Sequence, residues 1–132
     1  MSIDSIRRPR VVVAEDDESF RYTVKMSVRA DCELVGEAEN GAIAVDLVDR
    51  FRPDLVLLDI SMPVMTGLEA ARVIRERLPD IRVIIVSSHT NPAFIAEAYE
   101  LGASGYVQKD NLTEQLPQAI EDALNGRVFR AA

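Results

Sequence analysis

The sequence predicts an α/β fold in which five strands alternate with five helices, (βα)5, around a doubly wound, five-stranded parallel sheet. Three observations carry this expectation. Short apolar runs rich in β-branched residues recur five times without polar alternation, a pattern that suits strands buried on both faces. Between them, apolar residues repeat at spacings of three and four, giving each helix one face to lay on a sheet. Pro and Gly fall at the junctions. Strand–helix–strand crossovers of this length make a parallel sheet with right-handed connections and helices on both sides.

The first strand is expected over residues 11–14, followed by a helix on the stripe Phe20, Val24 and Val28. Residues 34–38 form the second strand, and Ile43, Leu47 and Phe51 mark the inward face of the second helix. Arg52-Pro53-Asp54 stops that helix before a strand at 55–58, because the residue preceding Pro is pushed toward extended geometry. Leu68, Ala71, Ile74 and Leu78 make the third stripe, which Pro79 ends ahead of a strand at 83–86. Phe94, Ala98 and Leu101 define a shorter helix with Gly102 as its C-terminal cap, before a last strand at 105–107. Leu112, Leu116, Ala119, Ile120 and Ala123 close the series, with Gly126 beyond them. With Thr113 as N-cap, Pro117 falls in or just beyond the first turn, where little hydrogen bonding is lost. The organisation is then an entry arm at 1–9, one domain at 10–127, and a tail or the start of a linker at 128–132.

Composition narrows the function. The 132 residues are 48% hydrophobic and 28% charged, which fits one globular domain with one core. The net charge of −7 argues against direct nucleic-acid binding by this chain, which needs clustered positive charge. Arg7, Arg8 and Arg10 read as a solvated arm. One Cys and one His cannot fill a four-ligand zinc site. Cys32 alone makes no disulfide framework, so a reducing, cytoplasmic setting is expected. The longest uncharged stretch, 83–96, is interrupted by polar residues and suits no membrane span, and nothing at the N-terminus reads as a signal peptide.

In sheets of this kind, sites form beyond the carboxyl ends of the strands. The first strand ends in Glu15-Asp16-Asp17-Glu18, the third in Asp59, the fourth in Ser87-Ser88-His89, and Lys109 follows the fifth. The dipole of the next helix accounts for Asp17 and Glu18. It does not account for Asp59, a carboxylate placed after Leu55-Val56-Leu57-Leu58. Carboxylates from neighbouring strands repel one another, and a hard divalent cation such as Mg²⁺ resolves the repulsion. Lys109 is one of two lysines in a chain that uses thirteen arginines, and its ammonium delivers a compact positive charge to an oxyanion. With the Ser87 hydroxyl, these groups make up a phosphoryl-transfer site.

The run Val11-Val12-Val13-Ala14-Glu15-Asp16, then Asp59-Ile60-Ser61-Met62-Pro63 with Gly67, then Ser87, then Tyr106-Val107-Gln108-Lys109 resembles the receiver domain of two-component response regulators. The likeness spans roughly residues 10–126 and implies the flavodoxin/CheY-like strand order 2-1-3-4-5. It implies that Asp59 accepts a phosphoryl group from a sensor histidine kinase, a phosphotransfer protein or a small acyl phosphate. Asp16, Asp59 and the backbone carbonyl of Ser61 would hold Mg²⁺ (or Mn²⁺), with Glu15 acting mainly through water. Ser87 and Lys109 would bind the phosphoryl oxygens, and Tyr106 would turn inward as Ser87 moves. Apart from the resemblance, His89 lies two residues beyond Ser87 and either is an exposed loop histidine with no role or, with Ser61, stands at the rim and tunes hydrolysis. Homodimerisation on phosphorylation is also implied, through the surface altered by the switch or through the first and fifth helices.

The 102–110 stretch is similar to NarL/FixJ-type regulators, which carry a DNA-binding helix-turn-helix after the receiver. No such segment lies within these 132 residues, so the output is either transcription through a further domain or protein contact by a stand-alone receiver. The chain departs from the commoner family pattern with Glu at 15, Ser at 87 and Asp in place of Pro at 110. A haloacid-dehalogenase-like phosphatase wants an acid two residues after its nucleophile, where Ser61 stands. A flavodoxin-like flavin carrier wants a phosphate loop where four acids stand. A degenerate receiver used only for docking would not keep the whole set of site residues.

Overall fold

The computed structural model describes residues 8–131; the arm residues 1–7, including Arg7 of the basic cluster, and Ala132 lie outside that range. In chain order come β1 (Arg10–Ala14), α1 (Glu18–Val28), β2 (Glu33–Ala38), α2 (Gly41–Phe51), β3 (Leu55–Leu58) and α3 (Gly67–Arg77). They are followed by β4 (Arg82–Ser87), α4 (Pro92–Glu100), β5 (Gly105–Gln108), a 3-10 turn at Lys109–Asn111, and α5 (Leu112–Leu124). The strands form one parallel sheet in the order β2-β1-β3-β4-β5, as expected. Among the described residues, no helix is long and apolar enough to cross a membrane.

Strand alternation divides the apolar residues between two layers. Val11, Val13, Leu55, Leu57, Ile84 and Val86 pack with Val24 and Val28 of α1 and Leu116 and Ala119 of α5. Val12, Ala14, Val56, Leu58, Val83 and Ile85 pack with residues of α2, α3 and α4. Each fully buried Val, Leu or Ile contributes about 1.5–3 kcal/mol, so the central strands β1, β3 and β4 anchor the fold. The edge strand β2 departs from the continuous-burial expectation: Glu33 and Glu37 are exposed, and its pairing skips Val35 between Leu34 and Gly36. An irregular, charged edge discourages pairing with other chains.

Two helices differ from expectation. In α2 the buried residues are Gly41, Ala44 and Val48, whereas Ile43 and Phe51 are exposed and Leu47 is half-buried. Asn40 caps this helix, and the Gly41 N–H donates to the Met65 carbonyl at 2.9 Å. That anchorage rotates the small residues, not the large ones, onto the sheet. In α5 the helix starts at Leu112, directly from the 3-10 turn, so Thr113 is not the N-cap and Pro117 lies inside the helix. Pro117 is exposed, and its missing N–H leaves the Thr113 carbonyl free to face water.

The β3–α3 loop is tightly held. A Cβ on Gly67 would overlap the carbonyl oxygen of Asp59, so only glycine lets α3 begin this close to the end of β3. Thr66 and Glu69 form a reciprocal capping box at the same point. Within the loop, the Met65 N–H bonds the Pro63 carbonyl at 2.7 Å around Val64, whose φ is 69°. After α5, Gly126 at φ 74° turns the chain, and residues 127–131 return across the start of β5. The Phe129 N–H donates to the Ser104 carbonyl at 2.7 Å, and its ring is buried in the α1/α5 layer. Residues 128–131 of the stretch expected as a tail or linker therefore lie against the domain, and Ala132 falls outside the described residues.

Candidate phosphoryl site at the strand ends

The sheet register explains how distant acids meet. Ala14 and Leu58 are paired, and the Asp59 N–H donates to the Ala14 carbonyl at 3.0 Å, so the chain emerges from β1 and β3 side by side. Carboxylate oxygens of Glu15, Asp16 and Asp59 lie within 4.8 Å of one another. Glu15 and Asp59 are buried, at 2% and 5% exposure, whereas Asp16 is exposed. Asp17 turns away and caps α1 through the Phe20 N–H, as its position at a helix start predicts.

Lys109 reaches this cluster from the end of β5. Its Nζ lies 2.5 Å from Glu15 Oε1 and 3.2 Å from Asp59 Oδ2. The same ammonium sits 4.5 Å from the centroid of the Phe20 ring. The other Glu15 oxygen accepts the Asp17 N–H at 3.1 Å, and Arg21 donates to the Glu15 carbonyl at 2.7 Å. Burial pushes Glu15 up to about 7, against the pull of Lys109. Burial works to lower Lys109 in turn, but Glu15 and Asp59 outweigh it and leave the ammonium above its ordinary value. The carboxylates of two buried acids and an exposed third make a hard-oxygen donor set that suits Mg²⁺ or Mn²⁺.

A second group of predicted residues gathers around His89. Ser87 is completely buried, and its Oγ accepts the His89 N–H at 3.0 Å. The Tyr106 hydroxyl donates to the His89 carbonyl at 2.7 Å. His89 Nε2 is hydrogen-bonded to Ser61 Oγ at 2.6 Å, and its ring lies 4.7 Å from that of Phe94. Ser61 and His89, expected only to share the rim, are thus joined directly. Tyr106 lies inward here, at 4% exposure. A buried phenol hydroxyl needs a partner, and the His89 carbonyl supplies it. The Ser87 hydroxyl bonds His89, not Lys109 or the acids. Among the described residues no peptide bond is cis, so Lys109–Asp110 is trans.

Three contributors were not singled out from the sequence. Phe20 reads there as one member of a helical stripe, yet it also borders the Lys109 ammonium. Arg21 braces Glu15 while its Nε pairs with Glu37 at 3.2 Å. Phe94 supports the His89 ring. A basic residue three positions beyond the acidic run was the one signal available, and it pointed to Arg21.

Comparison with known proteins agrees with this arrangement. The family model described as "Response regulator receiver domain" matches residues 11–121. The transcriptional regulatory protein DegU of Brevibacillus brevis is 33% identical over 122 residues, covering 91% of this chain and 52% of DegU. A probable transcriptional regulatory protein NarL of Mycobacterium tuberculosis is 36% identical over 129 residues, covering 96% of this chain and 60% of that protein. The chain thus spans a little over half the length of these relatives. Among solved structures, the signal receiver domain of NarL from Mycobacterium tuberculosis superposes with a TM-score of 0.86 at 35% identity, covering 92% of this chain and 99% of that one. With the strand order, the acidic trio and the bridging lysine already in place, these likenesses establish that the chain belongs to the response-regulator receiver family.

Proposed function

We propose that this receiver accepts a phosphoryl group on Asp59 from a sensor histidine kinase or phosphotransfer protein in the cytoplasm. The observation that carries the reading is the Lys109 ammonium held between buried Glu15 and buried Asp59, with Asp16 close by. A carboxylate oxygen of Asp59 attacks phosphorus as the donor's P–N bond breaks, and the leaving imidazole keeps the electron pair. Asp16, Asp59 and the Ser61 carbonyl would hold Mg²⁺ or Mn²⁺, with Glu15 acting through water. When bound, the ion offsets charge on the phosphoryl oxygens. Lys109 then exchanges its Asp59 contact for one of those oxygens. Ser87 gives up the His89 N–H and donates its hydroxyl to another.

The switch follows from that exchange. A dianion that recruits Ser87 draws on the segment carrying His89, whose carbonyl holds the Tyr106 hydroxyl. Phosphorylation therefore biases Tyr106 toward the inward position in which the His89 carbonyl holds it. The Ser61–His89 bond spans the rim and tunes water access to phospho-Asp59. The relatives named as transcriptional regulators support transcription as the output; a helix-turn-helix outside these residues and homodimerisation on phosphorylation are part of the same proposal and rest on the family resemblance. A stand-alone receiver acting by protein contact is the other reading. Its chemistry is limited to weak self-phosphorylation and self-dephosphorylation. Incubation with acetyl phosphate and Mg²⁺ should add one phosphoryl group by intact mass, and Asp59→Asn should abolish it. Undiminished labelling of that variant would overturn the assignment.

A further inference from the structure

We propose that residues 127–131 form a strap whose docking over β5 is coupled to the phosphorylation state of Asp59. The inference rests on the phosphoacceptor reading and adds to it a second responding element. Three anchors hold the strap. The Phe129 N–H donates to the Ser104 carbonyl at 2.7 Å, extending hydrogen bonding at the start of β5. The Phe129 ring packs over Gly105, where a Cβ would lie 3.3 Å from that of Phe129. The Tyr99 hydroxyl of α4 donates to the Phe129 carbonyl at 2.6 Å, while the Arg130 guanidinium lies 4.1 Å over the Tyr99 ring. One side chain of α4 thus grips the strap by both its oxygen and its ring.

The coupling runs through space that the strap and Tyr106 share. A cavity of about 490 Å³ is walled by Ile95, Tyr99, Tyr106, Gln108, Gln115 and Arg130. An outward Tyr106 would enter the space bordered by Tyr99 and Arg130, the two residues that fasten the strap. An inward Tyr106, held by the His89 carbonyl, leaves that fastening undisturbed. Inward tyrosine and docked strap occur together in this structure, and both should be favoured when Ser87 is drawn to a phosphoryl group. Linkage then requires reciprocity: loosening the strap must weaken binding at Asp59 by the factor that binding tightens the strap.

The test uses the 132-residue chain with Mg²⁺ and beryllofluoride as the phosphoryl mimic. Amide exchange of Phe129 reports docking directly, because that N–H is the bond to Ser104. Its protection should rise about fivefold when beryllofluoride binds, and Tyr99→Phe and Phe129→Ala should each weaken beryllofluoride affinity by about fivefold. Tyr99→Phe removes only one hydroxyl, so it remains informative if Phe129→Ala is poorly folded. Unchanged Phe129 protection in the beryllofluoride-bound protein would overturn the strap and leave the phosphoacceptor reading standing. Equal or tighter beryllofluoride binding by Tyr99→Phe would do the same. Failure of the wild-type chain to bind beryllofluoride would overturn both.

Discussion

Val64 occupies a conformation that β-branched residues rarely adopt. Its φ of 69° is closed by the Pro63–Met65 hydrogen bond, and the side chain is 84% exposed, so little packing compensates for the strain. Asn tolerates this region far better, and Val64→Asn should stabilise the protein by about 1 kcal/mol in urea unfolding. A loss of stability would show that Val64 makes contacts that outweigh its backbone cost. His89 is the other residue whose surroundings invite a test. Its ring bridges to Ser61 and its carbonyl holds Tyr106, yet it belongs to neither the acidic trio nor the lysine contacts. His89→Ala should remain phosphorylatable by acetyl phosphate but lose the phosphoryl group several-fold faster, because the Ser61 bridge no longer closes the rim. Equal decay rates after removal of acetyl phosphate would exclude this role.

At the level of elements, the strands were the most legible part of the sequence. Runs such as Leu55-Val56-Leu57-Leu58 have no polar interruption, and a buried central strand is the economical use for them. The acids and the lysine could be placed because chemistry in such sheets gathers where strands end. The face of α2 was harder to read, since Ile43, Ala44, Val45, Leu47 and Val48 are nearly continuous and periodicity alone cannot choose between adjacent faces. The Ser61–His89 contact depends on the conformations of two loops 28 residues apart, which no local pattern encodes. Gly67 stands between these cases. In the sequence it stands only as part of the motif that follows Asp59, but its necessity comes from the Asp59 carbonyl lying where a Cβ would go. Gly67→Ala must push α3 away from β3, at a cost of about 2–3 kcal/mol. Chemical denaturation would measure that loss, and acetyl phosphate labelling of the displaced Asp59 should fall with it. A neutral substitution would mean that the two elements can separate freely.

For the whole molecule, the charge crowded at the strand ends is a liability that the metal should relieve. Folded Glu15 keeps its proton up to about pH 7, whereas the unfolded chain releases it near 4.5. Between those values the folded state binds more protons, so raising the pH lowers stability, by up to about 3 kcal/mol from this group. Urea unfolding in EDTA should show the decline between pH 5 and 7.5. Glu15→Gln should flatten it, and Mg²⁺ should stabilise the wild type more at pH 7.5 than at pH 5. A pH-independent stability in EDTA would contradict the burial argument. The sheet order carries a further consequence, for how long a signal can be stored. The acids stand on interior strands β1 and β3, but Lys109 is delivered by β5, which ends the sheet. Edge elements open more readily than the centre. If Asp59 carries a phosphoryl group as proposed, each opening of β5 would keep the acidic cradle and withdraw the Lys109 ammonium from it, tying the lifetime of the stored signal to how often β5 opens.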